Sequence, residues 1–305
     1  MNLAYSSALA ALLMSSGLAY AGNTDIESKV KYCNQSIVDG NASKALAYAE
    51  QVLKQDKNNH GALLCKGQAY GGTGQFNEAL AALQAAEKNT STVADHIVTL
   101  ILIGNVQKSA KQYPEALNTF RQSLVMSQAE KDKHFERISL NLIGETLVDT
   151  NQLEAGLESY LQGSKLAANN NERANNYARI ADTYSTLEKY DQAIEYQIKA
   201  VLMEQQSGDL NHFANASLEL GRFYTAAKDY PNAEKHINKI IQLSKDQGGA
   251  FWEAKSYYYL ALAKVANNQP EAAKKLLTDA QHICRDIDAE SLNNEISHVL
   301  NKLPK

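Results

Sequence analysis

Little in this sequence of 305 residues suits covalent or ionic scaffolding: it has four prolines, three cysteines and one tryptophan. Three cysteines are too few for a disulfide-dense mini-protein, and 16 scattered glycines exclude a collagen-like repeat. With 44% apolar residues and a net charge of −4, the chain does not read as a disordered tail. A pI near 6.0 argues against a nucleic-acid binder that works by neutralising phosphates. Reactive patterns are missing too. There is no HExxH, no Gly-x-Ser-x-Gly, no phosphate loop and no CxxC. The seven histidines are dispersed, and none pairs at the i, i+4 spacing of a helical metal site. His282 lies near Asp279, Cys284 and Asp286, which reads as a solvated helix end. Gly71-Gly72-Thr73-Gly74 resembles a phosphate cradle, but no strand precedes it and no Lys-Ser/Thr follows, so it reads as a turn. No catalysis, cofactor or metal is expected. Scarce proline with abundant Ala, Gln, Leu and Lys favours helix.

Charge is also absent from the start of the chain, where no charged side chain precedes Asp25. The apolar run Leu3 to Tyr20 ends in Ala19-Tyr20-Ala21 and Gly22, a small-x-small pattern that suits signal-peptidase cleavage after Ala21. The alternative reading is a membrane anchor, for which a run diluted by Ser6, Ser7, Ser15 and Ser16 is marginal. Residues 1–21 are therefore expected to be a signal peptide. The mature chain is expected to lack a transmembrane segment and to be exported, periplasmic or secreted.

Beyond the leader, one phrase recurs: an aromatic or leucine, two polar residues, then a small residue opening an apolar run. It occurs at Phe76–Ala79, Tyr113–Ala116, Leu153–Gly156, Tyr190–Ala193 and Tyr230–Ala233, with degenerate copies ending at Ala45 and at Ala272 or Ala273. With Ala273 as the last marker, the spacings are 34, 37, 40, 37, 40 and 40 residues. Steps of about three residues keep helical faces in phase. Twelve residues before each marker stands a second small residue: Cys33, Gly67, Gly104, Gly144, Ala181, Gly221 and Ala261. Two antiparallel helices that cross closely need small side chains at both points. Pro114, Pro231 and Pro270 stand at the start of the second helix of their pairs, where a missing N–H costs nothing.

The small residue, Tyr three positions later and the aromatic-x-x-Ala turn resemble the tetratricopeptide repeat (TPR), here with lengthened units of 37–40 residues. Leu218–Tyr224 running to Tyr230–Ala233 is the nearest unit to that pattern. The resemblance implies an all-α, right-handed superhelical solenoid of about seven helical hairpins plus a C-terminal capping helix. Residues 22–287 would form the solenoid and 288–305 the cap and tail. Asp288 would cap a last helix carrying Leu292, Ile296, Val299, Leu300 and Leu303 on one face. That helix reads as a lid on the final apolar edge, or else as an amphipathic partner-binding segment.

Stacked hairpins curve with their first helices on the concave wall. Positions three before, two before and one after the first small residue are expected to line the groove. They include Ile101, Asn105, Asn141, Glu145, Arg179, Asp182, Leu218, Glu219, Arg222, Tyr258 and Tyr259. Amides, guanidinium groups and phenols in that mixture suit protein or peptide segments. The polar residues could instead pair with one another, Glu145 with Arg179, and Asp182 or Glu219 with Arg222. Cys33 and Cys65 fall on neighbouring first helices, where they would be a disulfide or two packed thiols. A non-catalytic protein-binding scaffold or adaptor follows. The alternatives are a sensor or accessory subunit of a membrane signalling or secretion assembly and, further off, a hydrolytic enzyme.

Overall fold

The computed structural model describes residues 24–207 and 209–303. The expected signal peptide and its cut after Ala21 lie outside the described residues. Fifteen helices and no strand occur among those described. The chain divides into two compact units, with the boundary in sequence between Gln152 and Leu153. Unit 1 holds α1 (Thr24–Val38), α2 (Ala42–Gln55), α3 (His60–Gly72), α4 (Phe76–Glu87), α5 (Val93–Ser109), α6 (Tyr113–Ala129) and α7 (Lys133–Asp149). Unit 2 holds α8 (Leu153–Ser164), α9 (Asn170–Thr186), α10 (Tyr190–Ser207), α11 (Leu210–Ala226), α12 (Tyr230–Gln247), α13 (Ala250–Ala266), α14 (Pro270–Asp286) and α15 (Glu290–Leu300). Within each unit, consecutive helices pack as antiparallel pairs, the helical solenoid that the repeat predicts.

Local chemistry sets the boundaries. Asn41, Asn59, Asp132, Asn169, Asp209 and Asp229 accept backbone N–H bonds at helix starts, and Thr92 with Asp95 forms a full capping box. Pro114, Pro231 and Pro270 lie in first turns, as expected. Each first helix ends identically. The residue five before the marker takes positive φ (Gly40, Gly74, Lys111, Asn151, Glu188, Lys228, Asn268). The next N–H then reaches back five residues to a carbonyl, as in Asn41 to Ser36, Gln112 to Gln107 and Gln269 to Lys264. This common turn identifies Ala273, fully buried, as the seventh marker; Ala272 is exposed.

The small positions lie where the helix pairs touch. A Cβ added at Gly67 would stand 2.5 Å from Leu83, one at Gly104 2.4 Å from Phe120, and one at Gly221 2.6 Å from Ile237. In each case the large partner sits four residues after the marker, one turn into the second helix. The cores follow the same geometry. Leu63, Leu64, Leu83, Leu102, Ile103 and Val106 form one cluster in unit 1, and Phe213, Leu218, Ile237, Ile240 and Leu260 one in unit 2.

Helix α15 buries Leu292 and Ile296 against Ala254, Ala261, Leu277 and Cys284. Its opposite side, with Glu290, Asn294, His298, Asn301 and Lys302, is polar and exposed, which is the arrangement of a lid. Asp288 does not cap it. Asp288 takes φ 55°, and the following Ala289 N–H bonds Cys284 O, so Asp288 serves the end of α14 while Ala289 starts α15 without a side-chain cap.

A candidate protein-binding wall

The first helices of neighbouring hairpins lie side by side: α1 with α3, α3 with α5 and α5 with α7 in unit 1, and α11 with α13 in unit 2. Residues at the same repeat position therefore face one another across about one repeat length. In unit 2 this produces a ladder. Arg222 Nη2 donates to Asp182 Oδ1 at 2.5 Å, forty residues away, and its Nε donates to Glu219 Oε2 at 2.6 Å. Tyr259 Oη, forty residues past Glu219, donates to Glu219 Oε1 at 2.5 Å. Lys255 Nζ donates to Asn215 Oδ1 at 3.1 Å, again across forty, and Trp252 Nε1 to Asn211 Oδ1 at 2.7 Å across 41. The Lys255 ammonium also lies 5.0 Å from the Trp252 ring centroid and 6.0 Å from that of Tyr259.

The ladder tunes its own members. Burial raises the Tyr259 phenol pKa above its ordinary value, and the adjoining Glu219 carboxylate adds to this, which favours the protonated, donating phenol. Burial would lower the Arg222 pKa, but the Glu219 and Asp182 carboxylates reverse that and raise it. Desolvation raises the Asp182 pKa; Arg222 opposes this while Glu219 reinforces it. Burial lowers the Lys255 pKa, against the pull of Glu219 and Glu295.

Unit 1 has a shorter version. The Lys108 ammonium, almost fully enclosed, bonds the Glu145 carboxylate and lies 3.3 Å from Asp149 Oδ2, tying α5 to α7. Asn141 is half-buried on α7. Asn105 is 8% exposed and sits inside the wall rather than lining it.

Ile101 and Leu218, expected in the groove, are core residues. Ile101 packs with Ile97 and Phe135, and Leu218 with Phe213, Ile237 and Leu260. The position three before the small residue points toward the adjacent hairpin, so its character depends on what that neighbour offers. Arg179 stacks over Tyr160 at 5.8 Å, and Tyr258 is half-buried beside Tyr259. The expected pairing of Asp182 and Glu219 with Arg222 is present, and Glu145 has Lys108 as a partner. Asn211, Asn215, Trp252 and Lys255 escaped the sequence reading because they lie one to two turns before the positions it used. Pairing hydrogen-bonding side chains 40 or 41 residues apart would have found them. Cys33 and Cys65 are joined as a disulfide, with Cα atoms 6.3 Å apart. Among the described residues, no group of three or more His, Cys, Asp or Glu side chains is arranged to hold a metal ion. No described helix is long and apolar enough to cross a membrane.

Family models described as tetratricopeptide repeat match residues 174–207 and 212–286. Among solved structures, the chain is similar to a signal transduction ATPase with numerous domains from Pyrococcus horikoshii that carries a tetratricopeptide repeat sensor. The TM-score is 0.70 at 16% identity, covering 89% of this chain and 44% of that one. It is also similar to the apo form of RapI, with a TM-score of 0.68 at 12% identity, covering 89% of this chain and 79% of that one. A Rap protein complexed with competence and sporulation factor gives a TM-score of 0.57 at 13% identity, covering 92% of this chain and 87% of that one. At such identities the likeness shows the fold alone. No curated protein matches the sequence.

Proposed function

We propose that the chain is a non-catalytic scaffold that holds a protein or peptide segment against its first-helix wall, in an exported compartment. The observation that carries this reading is the unit 2 ladder. Tetratricopeptide repeats are built as binding surfaces, and here successive first helices present an Arg, a Lys, carboxylates, amides and phenols along one wall. Side chains that already share hydrogen bonds can exchange one partner for a backbone amide or carboxylate without leaving a buried group unpaired. Export is supported by the leader pattern before Gly22 and by the disulfide, which persists in oxidising compartments.

Cross-linking in the native compartment, followed by capture, tests the binding. The wild-type chain is expected to recover a defined partner, and a triple substitution Arg222→Ala, Lys255→Ala, Tyr258→Ala to lose it while keeping its helical circular dichroism. Capture that is unchanged by the triple substitution would move the site off this wall. N-terminal sequencing of the mature protein tests export, with Gly22 the expected first residue and Met1 the result against it.

A further inference from the structure

The first hairpin is built with less apolar packing than the glycine-bearing hairpins α3–α4, α5–α6 and α11–α12. Elsewhere the glycine of a first helix receives a large side chain, Leu83 on Gly67, Phe120 on Gly104 or Ile237 on Gly221. In α1–α2 the same two positions hold Cys33 and Ala49. The other buried residues of this hairpin are Ser36, Ala45 and Val52. Ile37, Leu46 and Tyr48 pack only partly against it, and Tyr32 is 54% exposed. Alanine withdraws far less apolar surface from water than leucine or phenylalanine does. The cluster that joins α1–α2 to α3 consists of Cys33, Ala45, Ala49, Cys65 and Ala69.

A covalent bond occupies this weak point. The Cys33–Cys65 disulfide ties α1 to α3 across 32 residues, and the loop it closes contains the α1–α2 turn and all of α2. Its effect falls on the unfolded ensemble of that segment, whose freedom it cuts. Helix α3 and the helices beyond it do not share the dependence. Leu63 and Leu64 of α3 belong to a larger cluster with Leu83, Leu102, Ile103 and Val106.

We infer that the Cys33–Cys65 disulfide is a redox latch: hairpin α1–α2 stays folded while the bond is intact and is released when a dithiol reductant opens it. In the opening step, local fraying of α1–α2 first exposes the sulfurs, which are fully buried in the latched form; one reductant thiolate then attacks a sulfur of the bond and the other protein sulfur leaves as thiolate. The second reductant thiol then resolves the mixed disulfide, so that the reductant leaves oxidised and two protein thiols remain. Release uncovers the Ala62, Cys65 and Ala69 face of α3, which is fully buried in the latched form. The N-terminal end of the array is thereby a surface whose presence depends on its redox surroundings.

Hydrogen exchange read by mass spectrometry on the full mature chain tests the latch, comparing oxidised protein, protein held in a dithiol reductant, and Cys33→Ser with Cys65→Ser. Cys284→Ser serves as the control for the remaining thiol. Amides of residues 24–55 are expected to exchange about 100-fold faster in the reduced and double-serine forms, with residues 93–149 unchanged. Protection of 24–55 that survives reduction would overturn the proposal, because packing alone would then hold the hairpin. Equal acceleration of 24–55 and 93–149 would overturn it as well, since the bond would then support the whole unit. Free Cys33 and Cys65 thiols in protein taken from an oxidising compartment would also rule it out. If the double-serine chain fails to fold, the reduced wild-type chain, folded before reduction, decides.

Discussion

The turn between paired helices is specified one residue at a time. Seven residues at the same repeat position take a left-handed conformation, yet only Gly40 and Gly74 are glycines; Lys111, Asn151, Glu188, Lys228 and Asn268 are not. An L-residue with a Cβ pays about 1–2 kcal/mol there, which glycine avoids. Glu188→Gly is therefore expected to raise stability by about 0.5–1 kcal/mol in urea unfolding, and Glu188→Val to lower it by at least as much. An unchanged midpoint for both would mean that the turn carries no such strain. Gly104 shows the opposite demand, for space rather than conformation. A methyl there would stand 2.4 Å from the Phe120 ring, whereas one at Gly72 would meet nothing within 4 Å. Gly104→Ala should cost about 1–3 kcal/mol through overpacking, while Gly72→Ala should not destabilise. Equal effects of the two would refute the close-crossing argument.

Between elements, the unit 2 ladder links α9, α11 and α13 through side chains one repeat apart. Its contribution to stability should be small. The Asp182 side chain is 64% exposed and that of Arg222 41%, so solvent screens most of their attraction. A double-mutant cycle with Asp182→Asn and Arg222→Gln is expected to give a coupling below about 1 kcal/mol. A coupling of several kcal/mol would recast the ladder as a structural brace rather than a binding wall. The repeat phrase and the proline positions made the helix pairs legible in the sequence, because steric demands at a crossing and at a helix start are local. Asp288 misled for a related reason: it serves α14's end, a role that depends on the turn and not on residue type.

For the whole molecule, acid should erode stability through histidines held neutral. Burial lowers the His60 pKa below its ordinary value of 6.5, only partly offset by Asp95, and burial with Lys235 and Lys239 lowers that of His236. Thr99 Oγ1 gives its proton to Asp95 O, so it accepts from His60 Nε2 at 3.0 Å, a bond to a half-buried imidazole. Because both folded pKa values lie below the unfolded one, the unfolded chain binds more protons as pH falls through the histidine range. Stability should therefore drop on going from neutral pH toward and below 6.5, then level off once the folded-state groups also protonate. Urea midpoints at pH 7.5 and 5.5 check this: His60→Gln should flatten the slope, and an identical slope in the variant would contradict the assignment.

By itself, the sequence determined the helical class, the seven paired small positions, the turns and the proline-bearing starts, because each answers to constraints within one helix or one hairpin. Folding decided the rest. Whether Ile101 and Leu218 faced a groove or a core, whether Asn105 lay on or inside the wall, and which partners Arg222, Glu219 and Lys108 chose all depended on the neighbouring hairpin. The union of Cys33 with Cys65 depended on it as well. Those outcomes rest on distances between segments about a repeat apart, which no single stretch of the chain contains.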